Sequence, residues 1–359
     1  TMARLAPIRL AGMIAATATF AALATETRAQ QAPVCDAQTG STCTSTQTMT
    51  GEVTGAVNLD VAVGQLQVTN DVAGNLLVGG VDQAAADLTA RQTMTGPSVT
   101  ARTAVATTAA ANHIALSGSS ASITGALDQS AQTPVLAETV ADVQYIPAPA
   151  EFSAHAAANL VQASTDGASH QDLTVRQANA PSTIEARTDV YVDNAWNLAA
   201  RAGAGGNRIV LSNAGGSLVA TTDQTNQGRI RAVAQAQTNL QGQTTVAARA
   251  VANETVAGNQ DIYLELDNTQ LNTGGVEATA TYTGVSGYDA YVGAEAVGNS
   301  VTGYACSQCG GEVHVTNSQT NDANVTATTS ATIGAGRAAV VGATAVGNSA
   351  TFYVSRPGG

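Results

Sequence analysis

The sequence predicts an all-β fold: an elongated parallel β-solenoid (β-helix) built from about seven repeats of 46–49 residues. Three observations predict it. A small residue followed by Asn returns at Asn75, Asn112, Asn159, Asn207, Asn253, Asn299 and Asn348, at intervals of 37, 47, 48, 46, 46 and 49 residues. Within a copy the residues alternate: Val325, Ala327, Thr329 and Ala331 fall on one face of a strand, Thr326, Thr328 and Ser330 on the other. The chain is also only 3% aromatic, so the interior must be narrow and filled by Ala, Val and Thr. A β-sandwich would also supply short strands and turns, but gives no reason for one dipeptide to return at a fixed period.

Taken in order, residues 1–29 read as an export signal. Arg4 and Arg9 give a charged start, Leu10 to Ala24 an apolar run, and Thr27-Arg28-Ala29 small residues at −3 and −1 before cleavage at Gln30. Residues 30–46 form a polar lead-in. The repeat body spans 47–354, and 355–359 are a C-terminal tail. Gln-Thr-Met-Thr-Gly occurs at 47–51 and again at 92–96, an early trace of the repeat. Pro147 and Pro149 cannot donate to a ladder, so they mark a loop or edge excursion, after which Asn159 resumes the period. A second anchor, Asn226, Asn272 and Asn321, precedes Asn253, Asn299 and Asn348 by 27 residues each time. Coils stack at about 4.8 Å, so Asn207, Asn253, Asn299 and Asn348 are expected to lie above one another as a structural amide ladder.

Composition narrows the function. The net charge is −12 and all 14 basic residues are Arg. Nucleic-acid binding needs clustered Lys and Arg, so none is expected. The four cysteines fall in two local pairs, and in an exported chain the candidate disulfides are Cys35 with Cys43 and Cys306 with Cys309. Cys306-Ser307-Gln308-Cys309 has redox or zinc spacing, but no second ligand pair accompanies it. His113, His155, His170 and His314 fall in different phases of the repeat. Asp82, Asp128, Asp223 and Asp267 are expected as turn residues, with stacked carboxylates for calcium or sugar as the sharper alternative. No nucleophile elbow, phosphate loop or zinc-protease motif occurs, so no catalytic residue, metal ligand or cofactor is expected.

The signal segment, the Ala-x-Ala-Val-Gly-Asn-Ser heptapeptides at 294–300 and 343–349, and Asn/Gln-rich turns such as 267–272 and 316–321 carry a resemblance. Over essentially its whole length the chain resembles the holdfast attachment (holdfast-anchoring) HfaD family of stalked alphaproteobacteria. The resemblance implies a non-enzymatic, outer-membrane-associated surface protein that holds an adhesive polysaccharide to the cell pole. It also implies two partners, a curlin-like fibre subunit and a curlin-secretion-like channel lipoprotein. Ladders of Thr and Asn would contact the polymer through many weak bonds. An exposed terminal coil that adds strands from a like partner would make a homo-oligomer. The runner-up is a self-assembling, amyloid-like or curlin-like fibre subunit, for which the Gln/Asn content speaks. A polysaccharide-degrading β-helix would need a carboxylate cluster, which the sequence lacks.

Overall fold

The computed structural model describes residues 34–36, 42–59, 62–261, 263–306 and 311–355. The signal segment, Cys309 and the tail beyond 355 lie outside the described residues. The described residues belong to one compact unit, Gln31–Gly359. It consists of stacked coils, one coil per repeat, and each coil has three arms.

Coil 1 contains β1 (Val34–Asp36), β2 (Thr42–Met49), β3 (Val53–Ala56) and β4 (Thr69–Asp82). Coil 2 contains β5 (Ala85–Met94), β6 (Val99–Thr103) and β7 (Ala106–Ser119), and coil 3 β8 (Ser122–Ala131), β9 (Val135–Ile146) and β10 (Ala150–Asp166). In coils 4 to 6 the second and third arms fuse into one bent strand. These coils are β11 (His170–Asn179) with β12 (Thr183–Ala214), β13 (Ser217–Asn226) with β14 (Arg229–Asn259), and β15 (Tyr263–Asn272) with β16 (Val276–Cys306). Coil 7 is β17 (Glu312–Asn321), β18 (Val325–Ala335) and β19 (Ala338–Ser355).

The short arms stack in one sheet in the order β1-β2-β5-β8-β11-β13-β15-β17, and the middle and long arms make the other. Every coil-to-coil pairing is parallel; β1 pairs antiparallel with β2. The register carries the sequence period directly. Asn112 lies opposite Asn159, Asn159 opposite Asn207, Asn207 opposite Asn253, Asn253 opposite Asn299 and Asn299 opposite Asn348.

The 37-residue interval has a structural cause. Coil 2 has a five-residue middle arm, β6, where β9 of coil 3 has 12. The loop after β3 reaches past this gap to coil 3, where Val63 bridges Tyr145 and Gly64 N donates to the Tyr145 carbonyl at 3.2 Å. Pro147 and Pro149 occupy the break between β9 and β10, at the bend that coils 4 to 6 take without interruption.

A single narrow core was the expectation; the interior is two cores. One lies between the middle arms and the first half of the long arms. It is dominated by alanine, including the column Ala101, Ala137, Ala186, Ala232 and Ala278. The other lies between the last part of the long arms and the short arms, with Ile114, Leu127, Val161, Leu173 and Leu218. The division falls at the recurring dipeptide. Along β10 the inward residues are Phe152, Ala154, Ala156 and Ala158, then Asn159, Val161 and Ala163. Two consecutive side chains point inward, and the residue before Asn has no partner in the register. This is a bulge repeated coil after coil, and it shifts the inward set by one position. The space beside it admits little: a Cβ on Gly206 would lie 2.7 Å from Asn226 Oδ1 and 2.5 Å from the Ala252 carbonyl. That is why Gly stands before Asn207, while the same place in other coils admits nothing larger than Ala111, Ala158 or Ala252.

Alanine columns set how closely the two sides approach. Replacing fully buried Ala232 by Leu is expected to overpack the first core and cost about 1–3 kcal/mol. Thermal or chemical unfolding of Ala232→Leu against Ala232→Ser, which adds little volume, checks this.

Candidate functional site

Between the two cores runs a belt of stacked amides. Asn75, Asn112, Asn159, Asn207, Asn253, Asn299 and Asn348 are joined amide to amide at 2.7–2.8 Å. The second proton of each amide from Asn75 to Asn299 goes across the core to a short-arm carbonyl, such as Asn159 to Ala178 at 2.9 Å and Asn253 to Leu271 at 2.9 Å. The anchor Asn226, Asn272 and Asn321 forms a second ladder with Asn179, at 2.7–2.8 Å.

A third ladder was missed in the sequence. Gln47, Gln92, Gln129, Gln177, Gln224, Gln270 and Gln319 bond side chain to side chain at 2.6–2.8 Å. Each also donates to the carbonyl of the residue after the ladder Asn, as Gln177 does to Arg208 at 3.0 Å. The signal was present in Gln-x-Asn at 177–179, 224–226, 270–272 and 319–321. The repeated Gln-Thr-Met is the same motif, with Met49 and Met94 in place of the second Asn. The Asn amides donate toward the following coil and the Gln amides toward the preceding one. The opposed chains of dipoles offset each other, and each bond polarises the next.

The belt is interior. Asn159, Asn253 and Asn299 are fully buried, as is Gln224. The expectation that Asn ladders contact a polymer is therefore corrected: they hold coils together, and the outer faces are left for recognition. The Asp expectation is corrected for three of the four residues; Asp82 ends β4 beside the bend at 83–84. Asp128, Asp223 and Asp267 stand in mid-strand on the outer face of the short arms, not in turns. Asp128 lies between Arg91 and Arg176 at 3.8 Å from each, a neutralising column along the stack. Around it are exposed hydroxyls, including Thr44, Thr89 and Thr221. Among the described residues no three His, Cys, Asp or Glu side chains gather as a metal site.

The histidines lie apart. His113 Nε2 is 3.2 Å from Gln162 Oε1, and His314 packs against the Tyr263 ring at 5.5 Å. His170 Nδ1 is 2.5 Å from Ser217 Oγ in a shallow recess of about 650 Å³ lined by residues 167–170, 214–217 and Asp261. This resembles the start of a nucleophile–base pair, but the Asp261 carboxylate accepts the Gly216 N–H at 2.7 Å and does not orient the imidazole. Partial burial holds the His155 imidazole below the usual histidine range, and Arg208 lowers it further while Glu151 opposes. A depressed folded-state value means that this group's stability contribution is complete above the unfolded value near 6.5 and is lost as pH falls toward the folded one. Between about pH 7 and pH 5, the chain should therefore lose more melting temperature than His155→Gln does.

At the bend between middle and long arms a row of aromatics faces out. Tyr191, Trp196, Tyr288 and Tyr291 are all exposed there, with Leu240 and Val285. Asn239 Nδ2 donates to Tyr191 Oη at 3.1 Å and also bonds Asp193. Arg337 pairs with Asp289 and lies 5.9 Å from the Tyr288 ring centre. Its hydrogen bonds hold the Asp289 carboxyl below the usual range.

The profile of the family described as Holdfast attachment protein D (HfaD) matches residues 16–275, well over half of the chain. The chain belongs to the HfaD family. Among curated proteins and solved structures nothing matches it. HfaD membership gives the chain a part in holdfast attachment, at the cell surface, and points to a structural role. The matched span ends just before β16, yet β16 to β19 continue the same ladders in register.

Proposed function

We propose that this HfaD protein is a non-enzymatic scaffold that anchors the adhesive holdfast polysaccharide to the outer membrane at the cell pole. The observation that supports it most is the amide belt: two ladders run through all seven coils and a third joins coils 4 to 7, tying them into a single stack whose outer faces carry hydroxyls, amides and paired charges as well as the aromatic row at the bend. Many equivalent weak contacts along such a face would sum on a polymer. A curlin-like fibre subunit and a curlin-secretion-like channel lipoprotein would complete the attachment, reached after export by the N-terminal signal.

The register sets Cys35 opposite Cys43 across the antiparallel β1–β2 pair. Directly opposed residues have Cα atoms about 4.5–5.5 Å apart, a separation a disulfide can span. We read this pair as a disulfide that fixes β1 over the edge of β2, and Cys306–Cys309 as a second, local one.

The test is retention: purified exported chain, fixed to beads, is mixed with polysaccharide shed by cells. Retention well above that of an unrelated acidic β-solenoid supports the scaffold, and equal retention contradicts it. One observation favours a second reading. Parallel in-register strands with Gln and Asn ladders are the interactions of cross-β assemblies, so the chain would itself be a fibre subunit. Thioflavin-positive filaments from the purified chain would support that reading, and a stable monodisperse species would oppose it.

A further inference from the structure

The chain has one Trp and eight Tyr in 359 residues. An Ala-filled interior has use for large rings, yet Trp196 is 67% exposed and Tyr288 64%. Exposed rings collected on one edge mark a contact surface.

The register shows how the edge is built. Ala195, Gln241 and Gly287 are aligned across coils 4, 5 and 6, and so are Asn197, Gln243 and Asp289. Between these rows, Trp196, Gly242 and Tyr288 occupy one unpaired bend position. The two rings therefore stand about two strand spacings apart, roughly 9.6 Å, with glycine between them. A side chain at 242 would run into the Trp196 carbonyl, so the interval stays open. Polar groups flank it: Asn197 Oδ1 accepts the Gln243 N–H at 3.0 Å, and Asp193 and Asn239 lie one bend position away.

Resting on the attachment reading above, we propose that this bend is the contact for an uncharged pyranose polysaccharide. The C–H faces of its rings lie on Trp196 and Tyr288, and its hydroxyls bond Asn197, Gln243 and Asp193. A ring face is electron-rich and a pyranose C–H face electron-poor, so they attract where water is displaced. An extended sugar chain advances by about one strand spacing per residue, so it can lie along the stack and meet a ring at every second sugar. A polyanion is disfavoured by the net charge of −12. A lipid surface would call for clustered basic residues, and Arg337 at this edge is already paired with Asp289.

Trp196 is the chain's single tryptophan, so its emission reports on this edge alone. Full-length chain is titrated with shed holdfast polysaccharide, following emission and acrylamide quenching, and bead retention is measured in parallel. The expected result is a blue shift with reduced quenching. Trp196→Ala and Tyr288→Ala each weaken retention roughly tenfold, as loss of one ring contact implies, while Trp196→Phe retains most of it. Both side chains are exposed, so melting temperatures stay unchanged. Full retention by the double alanine variant with unmoved emission overturns the proposal and leaves the attachment reading intact. Wild-type chain that retains no polymer overturns both. An emission shift that follows protein concentration without polysaccharide makes the edge a contact between copies, and overturns the proposal as well.

Discussion

Asn253→Leu is expected to lose about 4 kcal/mol of stability and to break the cooperativity of the stack. Asn253 is fully buried; it accepts from Asn207 and donates to Asn299 at 2.8 Å and to the Leu271 carbonyl at 2.9 Å. Leucine leaves one Asn207 proton and the Asn299 oxygen without partners and removes the extra bond to the Leu271 carbonyl. An orphaned buried polar group costs about 1–3 kcal/mol, and the added apolar contact recovers only part of the sum. The position matters as much as the residue. Asn253 belongs to coil 5, with coils on both sides. Stability in a stack is a sum of coils and the interfaces between neighbours, so weakening one interior interface lets the two halves unfold separately. Denaturant unfolding should show two transitions in place of one. The same change at partly exposed Asn348, which has one ladder neighbour, should cost under about 1 kcal/mol. Equal losses at 253 and 348 would mean that the ladder carries no coupling.

Phe152→Ala is expected to cost about 3–5 kcal/mol through the cavity it leaves. Phe152 is fully buried, and the side chains aligned with it in the next coils are Ala200, Val246 and Val292. It belongs to the same core as Ala104 and Val105, the residues that replace most of a middle arm in coil 2. One large ring therefore sits where the coil pattern is short of side-chain volume. Extended strands held by ladders above and below cannot collapse onto a void, which puts the cost at the upper part of the range. Phe152→Leu should recover more than half of the loss, and calorimetry on the three proteins reads it.

The coil plan was legible because the ladder imposes it on the sequence. A buried amide must meet another amide one coil away, so Asn112, Asn159 and Asn207 recur at the coil length whatever lies between them. The small residue before each Asn is equally forced, by the bulge and the crowded space beside it. The Gln ladder was harder to see, since Gln is common throughout the chain and the period is diluted by exposed residues such as Gln162 and Gln237. The split into two cores was invisible: the alternation Ala-x-Ala reads the same on either side of a bulge, and only burial shows both Ala158 and Asn159 pointing in. Asp128 and Asp223 look like turn residues because Asp usually is one. They tolerate mid-strand positions here because arginines from adjacent coils flank Asp128 and Arg176 stands opposite Asp223 in register. The aromatic edge is out of reach of a linear reading, since Trp196 and Tyr288 are 92 residues apart and become neighbours only through the register of coils 4 to 6.

The most direct test of the anchoring account is deletion of the gene in its host, with lectin staining of adhesive polysaccharide on cells and in the medium. The account predicts that polysaccharide is still made but is shed from the pole into the medium, and that full-length chain supplied back restores it to the cell. Polysaccharide that stays firmly on the pole of deletion cells would contradict it.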